Sequence, residues 1–370
     1  MTFFSDLEAA LRERENSHLR RELGQIPAGV FDLASNDYLG FSRHPRVVLA
    51  AQNAVARFGA GARASRLVSG NYALLETLEN RLARLKNAEA ALVFSSGFAA
   101  NLGVLEAICD AKTAVFCHKR NHASLLDGCE TAARRGAKIR YFADESKLEN
   151  LLANSDSPRK IVVCDGVFSM DGDVLELPKT LELCERFDAI LLLDDAHGTG
   201  TLGQNGGGIC EHFGVKSGRI VHVGTLSKAL GSQGGFVAGP RVLVDFLVNN
   251  ARPFVYSTGL CPAAAGAALE SLNLLESSPQ ILEKLRENTR FLAENLREKG
   301  FDARWQPTPI LPVILRDEKA ALEKSARLLR RGFWCRAIRY PTVARGAARL
   351  RIGVCASWSR EELEAIVAAF

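Results

Sequence analysis

Ala189-Ile190-Leu191-Leu192-Leu193-Asp194-Asp195-Ala196-His197-Gly198-Thr199-Gly200 is the stretch that decides how the chain folds. Its apolar run is too short for a typical helix, and it is apolar on both faces, as a strand covered from both sides must be. Working outward, Ala90–Ser95, Thr113–Cys117, Ile161–Cys164, Ile220–Val223 and Gly235–Ala238 repeat the pattern, bounded by Gly, Asp or Ser, with a helical stretch at Phe98–Cys109. Short buried strands separated by helices, from about Ala88 to Gly239, predict an α/β fold with a mostly parallel central sheet covered by helices. Ligands of such sheets bind beyond the carboxyl ends of the strands, so the polar residues that follow each strand are the candidate site.

Three of these strand ends carry chemistry. In Ser96-Gly97-Phe98-Ala99-Ala100-Asn101, a Ser-Gly turn feeds a helix and leaves free backbone N–H groups at its positive end. That suits a phosphate, although a plain strand-to-helix turn has the same composition. Asp194 closes a buried strand, which is costly unless a cation pairs with it. His197 shares that rim, and taken alone the two fit a metal, a hydrolase pair, a partner for a protonated heterocycle or a structural turn. Lys228, in Thr225-Leu226-Ser227-Lys228, follows another buried strand and precedes a Gly-rich segment that admits close backbone approach. A lysine in such a polar pocket can be tuned toward an amine nucleophile. Together the three form a kit for pyridoxal 5′-phosphate: the turn for its phosphate, Asp194 for the pyridine nitrogen, Lys228 for the aldehyde.

The 370 residues are 47% hydrophobic and 24% charged, which excludes a disordered or fibrous chain and leaves material for a large and a smaller core. No apolar run approaches the ~20 residues of a membrane span. The amino-terminal segment alternates acids and bases and reads as an amphipathic helix rather than a signal peptide. Nine cysteines without a CxxC pair argue against a disulfide framework or zinc ribbon, and a reducing cytoplasm is expected. The net charge of +5 has no basic block behind it, so it favours anionic ligands weakly and makes no case for nucleic acid. A His118–His122 pair at helical spacing lacks a third ligand, and no metal is expected. Gly206-Gly207-Gly208 reads as a flexible loop. After Pro253 the texture changes: helices at Ala263–Leu275, Ile281–Lys299 and Lys319–Arg331 surround strands at Ile310–Leu315 and Arg349–Val354. The expected division is an arm with a helix (1–45), a large domain (46–250) and a smaller α+β domain (251–370), with the arm packed against the last.

Several motifs, in order from about residue 20 to 356, resemble the α-oxoamine synthases. They are Asn36-Asp37-Tyr38-Leu39-Gly40, Gly61–Gly70, Ser96–Asn101, Asn121-His122-Ala123-Ser124, Val167–Asp173, Asp194–Gly198 and Thr225–Lys228. The resemblance implies a PLP-dependent transferase of fold type I that condenses an amino acid with an acyl thioester and releases carbon dioxide. It implies that Lys228 carries the cofactor, that Asp194 pairs with its ring nitrogen and that His122 stacks on the ring. Ser169 and His197 would bond near the ring oxygen, Gly97 and Phe98 would line the pocket near the phosphate, and Thr225 would touch the cofactor. Arg349 and Arg351 share a strand face by period two, and the resemblance assigns the amino-acid carboxylate to Arg351. Arg20, Arg339 and Thr342 match substrate-side positions. Val255-Tyr256-Ser257-Thr258 and Ala337–Val343 imply L-alanine and a pimeloyl thioester, on coenzyme A or an acyl-carrier protein, as the substrates. Sister reactions of glycine or serine with other acyl-CoA donors use the same catalytic residues. A homodimer with sites at the subunit interface is also implied. One departure is Val343-Ala344-Arg345-Gly346, which lacks the proline usual after the valine.

Overall fold

The computed structural model describes residues 3–17 and 19–370. Seven strands build the large sheet: β1 (Ala90–Phe94), β2 (Thr113–His118), β3 (Lys138–Phe142), β4 (Arg159–Asp165), β5 (Ala189–Asp194), β6 (Ile220–Thr225) and β7 (Gly235–Gly239). Their spatial order is β1-β7-β6-β5-β4-β2-β3. All run in one direction except β7, which is antiparallel to both neighbours. The α/β class and the mostly parallel sheet are therefore as expected, and so are the six strands foreseen in it. β3 has no counterpart among them. It is one of the two edge strands, and its exposed Lys138, Arg140 and Tyr141 break the apolar run that marks the others. Charge on an edge strand also blunts pairing with a foreign strand.

Side-chain alternation splits the core in two. Leu191 and Leu193 of β5 face one side of the sheet and Leu192 the other, each fully buried. Burying one such leucine contributes about 1.5–3 kcal/mol, so a sheet with both faces covered accumulates stability quickly. Of the helices, α1 (Phe3–Asn16), α2 (Pro45–Phe58) and α3 (Ala73–Leu85) precede the sheet, α4 (Gly97–Ile108) and α5 (Ala123–Arg134) cover the Leu192 face, and α6 (Pro262–Ser277) packs on α2 and α3. The amphipathic helix expected at the start is present as α1, and none of its residues is buried. No helix among the described residues is long and apolar enough to cross a membrane.

The carboxyl-terminal sheet has β8 (Ile310–Arg316) and β9 (Ala348–Gly353) antiparallel at its centre. The arm is hydrogen-bonded to this region. Phe31–Asp32 pairs in parallel with Phe333–Trp334, the Gly353 N–H donates to the Leu33 carbonyl, and the Ala356 N–H donates to the Tyr38 carbonyl. This brings Asn36 and Tyr38 alongside Arg351 of β9, at the rim of the large sheet.

Candidate active site

Three strands deliver the rim. In the register of the sheet Asp165 of β4 lies beside Asp194 of β5, and β6 ends next to them at Thr225. Across the gap stands the amino terminus of α4, capped by Ser96, whose Oγ accepts the Ala99 N–H at 3.1 Å. The N–H groups of Gly97 and Phe98 have no intrahelical acceptor and remain available to an anion. His122 caps α5, and its ring stands 6.3 Å from that of Phe98, edge to face. These residues enclose a cleft of about 190 Å³. All eight positions assigned to the cofactor line it: Gly97, Phe98, His122, Ser169, Asp194, His197, Thr225 and Lys228.

The acids at the floor are not equivalent. Asp194 Oδ2 accepts from Asn101 Nδ2 at 2.6 Å and Oδ1 from the Ala196 N–H at 2.9 Å, which fixes the carboxylate. Burial and the neighbouring Asp194 push the Asp165 carboxyl well above the usual range, and its Oδ2 accepts the His122 N–H at 2.9 Å. Asp165 escaped the sequence reading, although it obeys the rule that found Asp194: it is the polar residue closing a buried strand.

Lys228 Nζ lies 2.9 Å from His197 Nε2. His197 is neutral, because burial and the charges of Lys228 and Arg351 hold its pKa well below the ordinary value. Lys228 forms no ion pair among the described residues, and burial lowers its amine to about 8, partly opposed by Asp194. A hydrogen-bonded chain continues outward. His197 Nδ1 is 2.7 Å from the Tyr38 hydroxyl, which accepts from Arg351 Nη2 at 3.0 Å. Arg351 also donates to the Ser169 carbonyl at 2.6 Å and to Asn36 Oδ1 at 3.0 Å. Arg349 takes another direction, to Asp171 and the Met170 carbonyl. It secures the turn that carries Ser169, whereas Arg351 borders the chain that leads to Lys228.

The donor set fits pyridoxal 5′-phosphate. A capped helix end suits the phosphate, a braced carboxylate suits a ring N–H, an amine of lowered pKa suits the aldehyde, and His122 with Phe98 supplies an aromatic border. His118, four residues before His122, bonds the Ala143 carbonyl and packs on Phe142 and Phe168.

Residues 28–370 match the family aminotransferase class I and II. The 8-amino-7-oxononanoate synthase of Thermoanaerobacter pseudethanolicus is 43% identical over 343 residues, 92% of this chain and 87% of that protein. The chain belongs to the α-oxoamine synthases, in the 8-amino-7-oxononanoate synthase branch. Among solved structures, serine palmitoyltransferase from S. paucimobilis with a bound PLP–myriocin aldimine superposes with a TM-score of 0.92 at 27% identity, covering 100% of this chain and 98% of that one. The 8-amino-7-oxononanoate synthase of Francisella tularensis gives 0.76 at 26%, covering 92% and 97%. The α-oxoamine synthase fold is thus common to both activities, while the sequence lies nearer the oxononanoate synthases.

The substrate-side expectations fare less evenly. Arg20 is not among the residues lining the cleft: its N–H donates to the Arg14 carbonyl after α1, and its side chain pairs with Glu15 at 2.8 Å and Glu22 at 3.9 Å. Its neighbour Arg21 instead donates to Thr342 Oγ1 at 2.9 Å. Arg339 and Thr342 belong to one turn, closed by the Thr342 N–H to the Arg339 carbonyl, and lie outside the cleft lining. The Gly206–Gly208 segment is a correction. It is packed rather than loose, because Lys86 Nζ bonds the Gly207 carbonyl at 2.8 Å and Asp195 Oδ2 at 2.6 Å. A Cβ at Gly208 would fall 1.7 Å from the Asp195 carboxylate, and at Gly198 2.0 Å. These two positions must be glycine for Asp195 to fit.

Proposed function

We propose that the chain catalyses the decarboxylative condensation of L-alanine with a pimeloyl thioester, giving 8-amino-7-oxononanoate, carbon dioxide and the free thiol carrier. The observation that carries this is the Lys228 amine, held against a neutral His197 in the cleft that Asp194 floors and Arg351 borders. Pyridoxal 5′-phosphate, when bound, supplies an aldehyde for an amine to capture and a ring that accepts the electron pair of a broken Cα bond.

The protein's own share follows from its residues. Lys228, with its pKa near 8, is substantially an unprotonated nucleophile at mildly alkaline pH, and once released its Nζ can take the Cα proton of alanine. Asp194, braced by Asn101 and the Ala196 N–H, holds a proton on the ring nitrogen and so favours the electron-accepting form. His122 and Phe98 border the ring, Gly97 and Phe98 N–H groups bind the phosphate, and Thr225 and Ser169 close the sides. Arg351 holds the alanine carboxylate by exchanging part of its present bonding, and Asn36 and Tyr38 keep its plane fixed meanwhile. The Arg339–Thr342 turn, joined by Arg21, contacts the acyl donor.

We assign the enzyme to the cytoplasm as a homodimer. Nine cysteines without a disulfide fit a reducing compartment. Exposed Leu67, Val68 and Tyr256, on segments bridged at Ser65 and Thr258, offer apolar surface for a second subunit.

The test is the visible spectrum of the cofactor-loaded protein with L-alanine and then pimeloyl-CoA, with the product identified by mass. A band perturbed by alanine followed by 8-amino-7-oxononanoate is the expected result. A band that answers only to glycine or serine moves the chain to a sister activity, and no cofactor band at all overturns the reading.

A further inference from the structure

A second cavity, of about 470 Å³, opens between the end of α3, the loop after Asn205 and the side of α6. It is larger than the cofactor cleft and shares no lining residue with it. Its floor contains His222, in the middle of β6, where the paired residues on either side are Leu193 and Ala238. An imidazole in that row is unexpected, because an apolar side chain would be cheaper to bury. His222 is 7% exposed, and its Nδ1 has no hydrogen-bond partner among the described residues. Burial, and the nearby Lys86 charge, push its pKa down to about 3, so the ring is neutral. A buried polar atom without a partner costs about 1–3 kcal/mol, and native proteins nearly always satisfy such atoms with protein, water or ligand.

The charges around the cavity point one way. Lys86 reaches the floor with two of its three N–H bonds engaged, by Asp195 and the Gly207 carbonyl. The two acids of the lining are already committed. Glu276 pairs with Arg81 at 2.6 Å, and Glu211 accepts from Asn205 Nδ2 at 2.6 Å and the Gly207 N–H at 2.7 Å. Arg84 and Lys216, exposed at the rim, form no ion pair among the described residues. Between rim and floor the walls are apolar, with Leu85, Val215, Ile220, Leu272 and Leu275.

The geometry points to a binding site for a small amphipathic anion, an apolar body ending in a carboxylate or similar group, seated between Leu272 and Ile220. Arg84 and Lys216 receive the charge at the rim, and His222 meets any polar atom carried to the floor. Such a ligand would sit directly behind the turn that carries Asp194, because Lys86 and Asp195 form the wall between the two spaces.

The test uses the cofactor-loaded enzyme and 8-anilinonaphthalene-1-sulfonate as a fluorescent probe, with octanoate and inorganic phosphate as competitors. Saturable binding of one probe per chain, displaced by octanoate and not by phosphate, is expected. Arg84→Glu/Lys216→Glu should weaken it at least tenfold, and Cys210→Trp, which fills the cavity from its wall, should abolish it. The charge-reversed pair is exposed and outside the catalytic cleft, so its circular dichroism and its turnover should stay unchanged. No saturable binding, displacement by phosphate alone, or probe affinity within twofold of the unmodified enzyme in the charge-reversed and filled variants would overturn the assignment.

Discussion

Two lysines meet the same four-residue turn, Asp194-Asp195-Ala196-His197, from opposite sides, and they are held in opposite ways. Lys86 lies against the Asp195 carboxylate, both side chains 1% exposed. Lys228 lies against an imidazole that carries no charge. The ion pair ties Lys86 to the turn as a link between α3 and the large sheet, whereas burial beside a neutral partner lowers the Lys228 amine to about 8. Both lysines are buried; what differs is the partner each one meets, a carboxylate for Lys86 and a neutral imidazole for Lys228.

The largest expected effect lies on the reactive side. Lys228→Ala should cut turnover on the order of 10³-fold or more, measured as 8-amino-7-oxononanoate formed; wild-type turnover would erase the distinction between the two lysines. Asp194→Asn should lose most activity and bind cofactor weakly in a spectral titration, since an amide cannot hold a proton on the ring nitrogen. Near-normal behaviour would hand that role to Asp165. On the structural side, Lys86→Met should lower unfolding stability by about 3–5 kcal/mol, because it strands the Asp195 charge. Lys86→Met/Asp195→Leu should recover part of it in denaturant melts, provided Gly198 and Gly208 tolerate the new side chain.

The finest test concerns pH. In cofactor-free protein, the amine of Lys228 should become reactive toward aldehydes with a midpoint near 8, whereas an ordinary lysine needs about 10.5. The sign for stability follows. Between those values the unfolded lysine holds a proton that the folded one has lost, so this group adds stability as pH rises through that window and none of the gain is present below it. Tyr38→Phe should shift the midpoint. The Tyr38 hydroxyl, accepting from Arg351, has one proton to place, on Asn36 Oδ1 or on His197 Nδ1. Donation to Nδ1 puts the imidazole proton on Nε2, facing an unprotonated amine, so that losing the hydroxyl frees the tautomer. An unchanged midpoint in that variant would confine Tyr38 to packing.

Much of this was legible in the chain alone. Strand ends such as Ala90–Phe94 and Ala189–Asp194 announce themselves because strands covered on both faces are largely apolar, and the polar residues that end the run are the ones delivered to the rim. That is why the Ser96–Asn101 turn, Asp194, His197 and Lys228 could be picked out from the strand pattern, while His122, Ser169 and Thr225 came from the family resemblance. What stayed hidden depends on partners far away. Nothing near Lys86 shows that it will meet Asp195, 109 residues on, and Gly206–Gly208 looks loose until that carboxylate is in place. Arg20 and Arg21 are adjacent and alike, and only the path of the chain after α1 decides which one reaches Thr342. Tyr38 lay within a quoted motif, but its role requires His197 and Arg351 to be seen together. β3 was missed because its outward face is polar, the same property that protects the sheet edge.

The arm has a consequence for how the enzyme is born. Tyr38 and Arg351 bond across a separation of 313 residues, so the beginning of the chain must wait on the ribosome for nearly its end. The seven strands, with Lys228 and Asp194, are all encoded before residue 240, but the cores against the sheet also draw on Leu260, Leu272, Leu275 and Leu282, so its faces are completed only as later residues emerge. The Arg351–Tyr38 bond cannot form until β9 has emerged and met the arm. In a nascent chain, Asp194 and Lys228 therefore emerge more than a hundred residues before Arg351 can meet Tyr38.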